Sequence, residues 1–398
     1  MSSLVTGSDR PTASHHPEAW VAIAPARVNL IGEHTDYTGG YVLPMAISFS
    51  TTATITAAND GKYHFKTSMS AEERTMDPHD RSERIGHWSD YVIGVLRQFQ
   101  TLNIEPTPFV LELRGDVPLG AGLSSSASVE IATAQAIATF SGKSFMAEAL
   151  AVLCQRAENQ YVGSPCGIMD QFVVAAARAQ HALLLNTRDL TYEFLPMNRA
   201  ALASCRIVVA NSMMKHSIAD GDYGIRRREV EAGQAIMRNT YPNLRDLGDA
   251  TLTQLESCRG WMTKESYHRC RHIISENGRV LEAKAAMMCG DPVQLGKVMT
   301  LAHASERDDF ECSIDEIDFL VETALELPGC YGARLTGGGF GGCTVNLVEA
   351  VEAERFSQAL QRAYRGRFNL SAETYICAAV DGATVRPASE QTARDSQS

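Results

Sequence analysis

A short segment rich in glycine and serine limits the folds open to this chain. It reads Gly120-Ala121-Gly122-Leu123-Ser124-Ser125-Ser126, follows strand-like residues 109–113 and leads into the alanine-rich stretch 127–140. Glycines let a backbone approach a phosphate closely, and the free N–H groups of a helix N-terminus point towards an anion. The segment therefore predicts an anion-binding loop that leads into a helix. A glycine turn with serine N-caps is the alternative, but three serines exceed what capping requires.

A second glycine cluster, Gly337-Gly338-Gly339-Phe340-Gly341-Gly342, formally satisfies the GxGxxG pattern of dinucleotide-binding folds. The residues that follow it, 343–348, are strand-like, whereas the dinucleotide fingerprint must open a helix. The cluster therefore argues against a dinucleotide-dependent oxidoreductase. It predicts a glycine-rich hairpin whose backbone presses against the first loop, with a purely structural tight turn as the alternative.

Near the N-terminus, residues 27–37 combine Arg27, Glu33, His34 and Asp36 with apolar, strand-like flanks. Carboxylates accept hydrogen bonds from sugar hydroxyls, and an arginine stabilises charge on a phosphoryl group in transfer. This mixture predicts a polar binding site rather than a solvated loop. Metal binding by Glu33, His34 and Asp36 is a chemically possible alternative.

Two carboxylates in the middle of the chain are further candidates. Glu158 lies on a predicted helix that ends at Gly163, and Asp170 comes at the start of the next helix, 171–178. A helix N-terminus favours an ionised carboxylate, which a kinase needs to receive a hydroxyl proton. Asp170 can also be read as an ordinary charge in the first turn of a helix.

The order of strands and helices is mixed. Strands are predicted within 42–58 and at 109–113, 206–210 and 343–348, and helices at 127–140, 150–161, 171–178, 223–238, 275–288 and 315–325. No regular βαβ alternation and no repeat is visible, so the expected class is α+β. The 398 residues suggest two domains, 18–204 and 205–387, with tails at 1–17 and 388–398.

Composition excludes several classes of protein. The net charge of −11 argues against nucleic acid as the main partner. Neither an apolar run of 18 residues nor a signal peptide is visible, so neither membrane insertion nor secretion is expected. Ten cysteines without a CxxC pair give no sign of a disulfide framework or a cysteine zinc site. The chain is expected to act in the cytoplasm as a monomer.

Taken together, the motifs resemble the galactokinase family, which is related to homoserine, mevalonate and phosphomevalonate kinases. The resemblance runs from about residue 24 to 379 and rests on APARVNLIGEHTDYTGGYVLP, VPLGAGLSSSAS, CGIMDQF and ARLTGGGFGGCTV. ERDDFECSIDEID, from Glu306 to Asp318, is similar to a stretch typical of galactokinases rather than of the wider family. The resemblance implies an N-terminal domain like ribosomal protein S5 domain 2, a ferredoxin-like C-terminal domain and an active site between them.

The resemblance also implies a reaction, in which ATP and α-D-galactose give α-D-galactose 1-phosphate and ADP. Asp170 would be the catalytic base and Arg27 would stabilise the transition state. Mg²⁺ would be held by Ser126 and Glu158. Residues 120–126 would cradle the phosphates of ATP, with Trp88 and Ser68 near the nucleotide. The implied sugar-binding residues are Glu33, His34, Thr35, Asp36, Gly167 and Tyr223.

Four positions depart from the family's usual pattern, namely Ala26, Thr38, Ser164 and Glu306. None of them removes a catalytic group, but Thr38 and Ser164 bear on the sugar preference. An N-acetylgalactosamine kinase is therefore one alternative function. A non-catalytic galactose sensor is another, although the Ser126-Ala127 dipeptide, which such a sensor lacks, argues against it.

Overall fold

The computed structural model describes residues 19–118, 120–214 and 219–390. The described strands are β1 (Ala19–Asn29), β2 (Tyr41–Val42), β3 (Pro44–Ala57), β4 (Tyr63–Thr67), β5 (Ser70–Met76), β6 (Phe109–Gly115), β7 (His181–Asn186), β8 (Tyr192–Pro196), β9 (Cys205–Asn211), β10 (Cys330–Thr336), β11 (Cys343–Glu349), β12 (Glu373–Cys377) and β13 (Thr384–Pro387).

The α-helices are α1 (Ser89–Thr101), α2 (Ser125–Phe140), α3 (Ala147–Ala157), α4 (Met169–Ala176), α5 (Ala219–Thr240), α6 (Leu252–Cys258), α7 (Lys264–Cys289), α8 (Pro292–Ser305), α9 (Asp315–Glu326) and α10 (Ala353–Phe368). A π-helical turn follows α3 at Glu158–Val162, and another follows α8 at Glu306–Phe310. Short 3₁₀ turns lie at Ala200–Ser204, Leu247–Asp249 and Arg259–Trp261.

The first half of the chain, joined by β13 from near its end, builds a six-stranded sheet in the order β13-β1-β3-β6-β4-β5, in which only the β4–β6 pair is parallel. Alternate residues of β6 are buried, as expected for a strand with one face on the core. Helix α2 packs on β1 and β3, and its many alanines allow this close approach. The N-terminus of α2 is thereby fixed beside the end of β1.

The second half builds an antiparallel sheet in the order β10-β11-β9-β12, with α8 and α9 packed on β10. A three-stranded sheet, β2-β7-β8, contacts β3 of the first sheet and α7 of the second half. Buried side chains of β1, β9, β11, α7 and α8 form one continuous apolar cluster. The two halves therefore share a broad apolar interface.

The α+β class and the predicted strands and helices are confirmed, with one notable difference in length. Helix α7 begins at Lys264 rather than near residue 275, because the Thr263 side chain caps it by accepting the N–H of Ser266 at 3.1 Å. His268, Cys270 and His272 are thus ordinary helical residues.

The predicted domain limits meet an exception in β13. It pairs with β1, with Trp20 opposite Pro387, so the end of the predicted second domain lies in the first sheet. The sequence of these four residues gives no local indication of the strand with which β13 pairs. The predicted domain boundary near residue 204 stays a prediction. The predicted tails, 1–17 and 388–398, lie almost entirely outside the described residues. No helix in the described part of the chain is long and apolar enough to cross a membrane.

Candidate active site

A cavity of about 170 Å³ opens where the end of β1, the start of α4 and the glycine turn after β10 meet. It brings together seven of the residues predicted from sequence and four that were not singled out for it. Its lining comprises Arg27, Glu33, His34, Asp36, Cys166, Gly167, Met169, Asp170, Tyr223, Gly337 and Gly338.

Arg27 and Asp170 form a two-point ion pair on one wall of this first cavity. Arg27 Nε donates to Asp170 Oδ1 at 2.6 Å, and Nη2 donates to Oδ2 at 2.5 Å. The remaining guanidinium nitrogen, Nη1, donates to the carbonyl of Gly122 at 2.7 Å, and the Ser124 hydroxyl donates to Asp170 Oδ2. Asp170 lies in the first turn of α4, as predicted. The pair therefore ties the carboxylate to the glycine–serine loop.

Glu33 is held on the opposite side by donors from several elements. Its Oε1 accepts the main-chain N–H of Gly337 at 2.7 Å and lies 3.4 Å from Nη1 of Arg334, while Oε2 accepts the side-chain amide of Asn29. Burial raises the pKa of Glu33, and the neighbouring Arg334 opposes that rise. The carboxylate thus has a fixed orientation before any ligand arrives.

His34 adopts a left-handed backbone conformation, with φ of 64°, and its ring stacks on Phe310 with 3.9 Å between centroids. Burial, followed by the nearby His272, lowers the pKa of His34 well below its usual value, so the ring is neutral at pH 7. Its Nε2 is buried and has no hydrogen-bond partner among the described residues. That nitrogen is available to a ligand in the cavity.

Asp36 and Gly167 are fitted to each other. A Cβ added to Gly167 would lie 1.8 Å from Asp36 Oδ2, so only glycine permits this approach. Burial, together with the charges of Asp170 and Glu33, raises the pKa of Asp36 to about 7. Three carboxylates thus converge on one small cavity.

Thr35 does not line the first cavity, and its contact with a ligand stays a prediction. Its buried hydroxyl donates to the carbonyls of Gly32 at 2.8 Å and Tyr41 at 2.7 Å. It therefore shapes the loop that carries His34 and Asp36. Thr38 is also buried, and its hydroxyl donates to the main-chain carbonyl of Thr35. Ser164 is exposed, and neither Thr38 nor Ser164 lines the cavity.

A second cavity, of about 210 Å³, lies on the other side of the glycine–serine loop. Trp88, Ser125 and Ser126 line it, as predicted for a nucleotide site. Ser68 is exposed and is not part of the lining; its neighbours Thr67 and Met69 are. Ser68 lies in the turn between β4 and β5, and its place near the nucleotide stays a prediction.

The glycine–serine loop adopts the left-handed backbone conformation that its glycines allow. Gly122 has φ of 72°, in the left-handed region that favours glycine, and Ser125 begins the 16-residue helix α2. The glycine turn between β10 and β11 lies against it, since a Cβ on Gly337 would be 3.4 Å from Gly122 O. The predicted hairpin pressed against the loop is confirmed. Four further residues of the loop line neither cavity, namely Gly120, Ala121, Leu123 and Ser124.

The Ser126 hydroxyl lies close enough to the Glu158 carboxyl to influence its charge. Glu158 Oε2 accepts Gln171 Nε2 at 2.6 Å, and the same amide reaches Glu130, whose Oε1 has no partner within the described ranges. Burial, and then the charge of Asp170, raises the pKa of Glu158. A hydroxyl and a carboxylate in a site with excess negative charge suit a hard cation that also keeps waters and phosphate oxygens. They fit Mg²⁺.

The alternative metal site at Glu33, His34 and Asp36 gains no support. Among the residues that the structure describes, no group of three or more His, Cys, Asp or Glu side chains is arranged to hold a metal ion. His34 stacks on Phe310, and Glu33 is occupied by Arg334 and two amide donors.

Sequence reasoning missed several residues that support the site from behind. Arg334, Phe310 and Gln171 are fully buried and contact Glu33, His34 and Glu158, respectively. Gln171 follows Asp170, and Arg334 precedes the glycine cluster, so adjacency was the one signal available. Their partners lie far away along the chain.

Comparison with known proteins gives three matching family models. Residues 12–57 match the galactokinase galactose-binding signature, residues 90–178 the N-terminal domain of GHMP kinases, and residues 281–366 the C-terminal domain of GHMP kinases. A galactokinase from Roseiflexus sp. strain RS-1 is 41% identical over 92% of this chain and 93% of its own length. Human galactokinase is 40% identical over 93% of this chain and 92% of its own.

Solved structures agree with these sequence matches. The crystal structure of Lactococcus lactis galactokinase complexed with galactose has a TM-score of 0.88 and 30% identity, and the match covers 92% of this chain and 95% of that chain. A mevalonate kinase, at 17% identity and a TM-score of 0.65, shares the fold.

Proposed function

Since the chain belongs to the galactokinase family, we propose that it transfers the γ-phosphate of ATP to O1 of α-D-galactose, giving α-D-galactose 1-phosphate and ADP. The observation that carries this proposal is the Arg27–Asp170 pair, which lines one cavity and is bonded to the loop that borders the other. Galactose would occupy the first cavity and ATP the second. We further propose that the protein acts in the cytoplasm.

Galactose binding rests on side chains fixed before the sugar arrives. The carboxylates of Glu33 and Asp36 accept hydrogen bonds from sugar hydroxyls, and His34 Nε2 supplies a further partner. Tyr223, on α5, closes one side of the cavity. Because Glu33 and His34 are buried and oriented, a hydroxyl of the wrong configuration leaves an acceptor unpaired.

The chemical step needs a proton acceptor beside O1 and a cation beside the phosphoryl group. Galactose O1 forms a bond to the γ-phosphorus, the bond from that phosphorus to the β–γ bridging oxygen breaks, and the O1 proton passes to Asp170. Arg27 orients Asp170 through Nε and Nη2 and offsets charge that develops on the transferred group. Its hydrogen bond to Gly122 O keeps it at the phosphate loop.

Ser126 and Glu158 would hold Mg²⁺, consistent with their proximity and with the buried carboxylates of Glu130 and Glu158. When bound, the ion neutralises phosphate charge and fixes the geometry of ATP. The described residues supply the rest: the N-terminus of α2 faces the phosphates, and Trp88 lines the nucleotide cavity.

We predict Mg²⁺-dependent ADP formation with D-galactose and turnover of D-glucose lower by roughly two orders of magnitude or more, since glucose leaves a buried acceptor unpaired. A coupled assay of ADP release with D-galactose, D-glucose, N-acetylgalactosamine and no sugar tests this. Equal turnover of glucose and galactose would contradict the substrate but not the kinase. A preference for N-acetylgalactosamine would favour the alternative function, and sugar binding without ADP release would indicate a sensor.

We predict that Asp36→Asn makes the ligand-free protein more stable, and increasingly so as pH rises from about 4 to about 7. The folded pKa of Asp36 is raised from 3.8 to about 7, so the stability of the wild type falls as pH rises through this window and levels off above it. The full shift corresponds to at most about 4 kcal/mol, and water reaching this half-buried group lowers that value. Thermal melts of both proteins between pH 4 and 8 measure the difference. A constant gap in Tm would show that Asp36 has an ordinary pKa.

A further inference from the structure

A fully buried arginine behind the galactose cavity joins two glutamates. Arg334, on β10, places Nη2 2.6 Å from Glu306 Oε1 and Nη1 3.4 Å from Glu33 Oε1. Arg334 and Glu306 are both 0% exposed. Glu306 begins the π-helical turn after α8 and is not part of the cavity lining. The direct contact of Glu306 with a residue that touches the cavity lining is its ion pair with Arg334, which in turn faces Glu33.

The guanidinium is shared unequally between the two carboxylates. Its shorter contact is with Glu306, while Nη1 also donates to the main-chain carbonyl of Asn29 at 3.3 Å. The side chain of Asn29 in turn donates to Glu33. Arg334 thus fixes both the end of β1 and the Glu33 carboxylate.

The second glutamate changes what Arg334 can do. An arginine facing a single buried carboxylate favours a two-point pair that uses both oxygens. With one end of its fork held by Glu306, Arg334 reaches only Oε1 of Glu33. The Gly337 N–H and the Asn29 amide then complete the orientation of Glu33 towards the cavity.

We propose that Glu306 is a positioning residue for sugar binding, which holds Arg334 and thereby keeps the Glu33 carboxylate in the orientation that receives galactose. This role rests on the proposed function, in which Glu33 accepts hydrogen bonds from galactose hydroxyls. A purely structural ion pair predicts instead that substitution alters stability and leaves galactose affinity unchanged.

Three substitutions at residue 306 separate these possibilities. In Glu306→Leu, Arg334 turns onto Glu33, and we expect galactose affinity to fall about tenfold or more, with ATP affinity unchanged and kcat within about threefold of wild type. Glu306→Gln keeps an acceptor for Arg334 and should bind galactose within about threefold of wild type. Glu306→Asp keeps the carboxylate on a shorter side chain, farther from Arg334, and we expect about a fivefold loss of galactose affinity. Isothermal titration calorimetry with galactose and with ATP measures each affinity.

Asp318→Asn serves as the matched control. Asp318 lies 3.2 Å from His303, a neighbour of Glu306, but has no described contact with Arg334. It should bind galactose as the wild type does. Circular dichroism melts establish that each variant is folded.

The role of Glu306 is overturned if the folded Leu and Asp variants bind galactose with wild-type affinity while Glu33→Ala does not, and the proposed function then stands. If Glu33→Ala itself binds galactose normally, the role of Glu33 fails and that of Glu306 fails with it. Should Glu306→Leu not fold, the other two variants decide: weaker binding by Asp than by Gln supports the role, and wild-type binding by both overturns it.

Discussion

Asp170→Asn is expected to lower kcat by roughly two or more orders of magnitude while galactose and ATP still bind measurably. Asparagine keeps the shape of the side chain but cannot take the O1 proton. It also offers one oxygen where Arg27 now contacts two. Turnover and calorimetric galactose binding, measured on one folded preparation, test this expectation.

The opposing interpretation is that Asp170 merely adds a negative charge to the first turn of α4. That interpretation expects near-normal turnover and at most a small loss of stability for Asp170→Asn. Glu148→Gln is a matched control, since Glu148 lies in the first turn of α3 and outside both cavities. Its kcat should not change. An Asp170→Asn variant within a few-fold of wild type would remove Asp170 from the chemistry.

Glu158→Ala is expected to reduce velocity by about 100-fold at limiting Mg²⁺, because it removes a carboxylate ligand from the ion that holds the phosphates. The loss should narrow as Mg²⁺ is raised. Galactose binding should be largely preserved, since Glu158 does not line the galactose cavity. Velocity titrated against Mg²⁺, and Mn²⁺ binding in the presence of ATP followed by electron paramagnetic resonance, measure the two effects.

Ser126→Ala should show a smaller loss of the same kind, because its hydroxyl is the second proposed ligand and lies close to Glu158. Ser125→Ala serves for comparison, since Ser125 lines the same cavity but is not a proposed ligand of the ion. Wild-type velocity of Glu158→Ala at limiting Mg²⁺ would show that the proposed ligand pair is wrong.

The parts of this site that sequence predicted are those with local signals. The loop from Gly120 to Ser126 could be assigned to the N-terminal end of a helix because a strand precedes it and alanines follow it. The glycine cluster could be assigned to a hairpin because strand-like residues follow it, and β11 begins at Cys343. Residue type, spacing and immediate neighbours were sufficient in both cases.

The parts that sequence missed depend on pairs that are distant along the chain. Arg334 meets Glu33 and Glu306 only after β10, β1 and α8 have packed together. Thr35 stands within the predicted sugar-binding string, yet its hydroxyl is used by the loop's own carbonyls. The orientation of a single side chain, as at Thr35 and Ser68, is set by local backbone geometry that composition does not encode.

The position of Arg27 has a thermodynamic consequence. One guanidinium contacts both a carboxylate in the proposed galactose cavity and the carbonyl of the loop beside the proposed ATP cavity. A shift of Arg27 on binding of either substrate changes the site of the other, so the two binding equilibria are linked. By the reciprocity of linkage, the factor by which galactose changes the affinity for ATP equals the factor by which ATP changes the affinity for galactose.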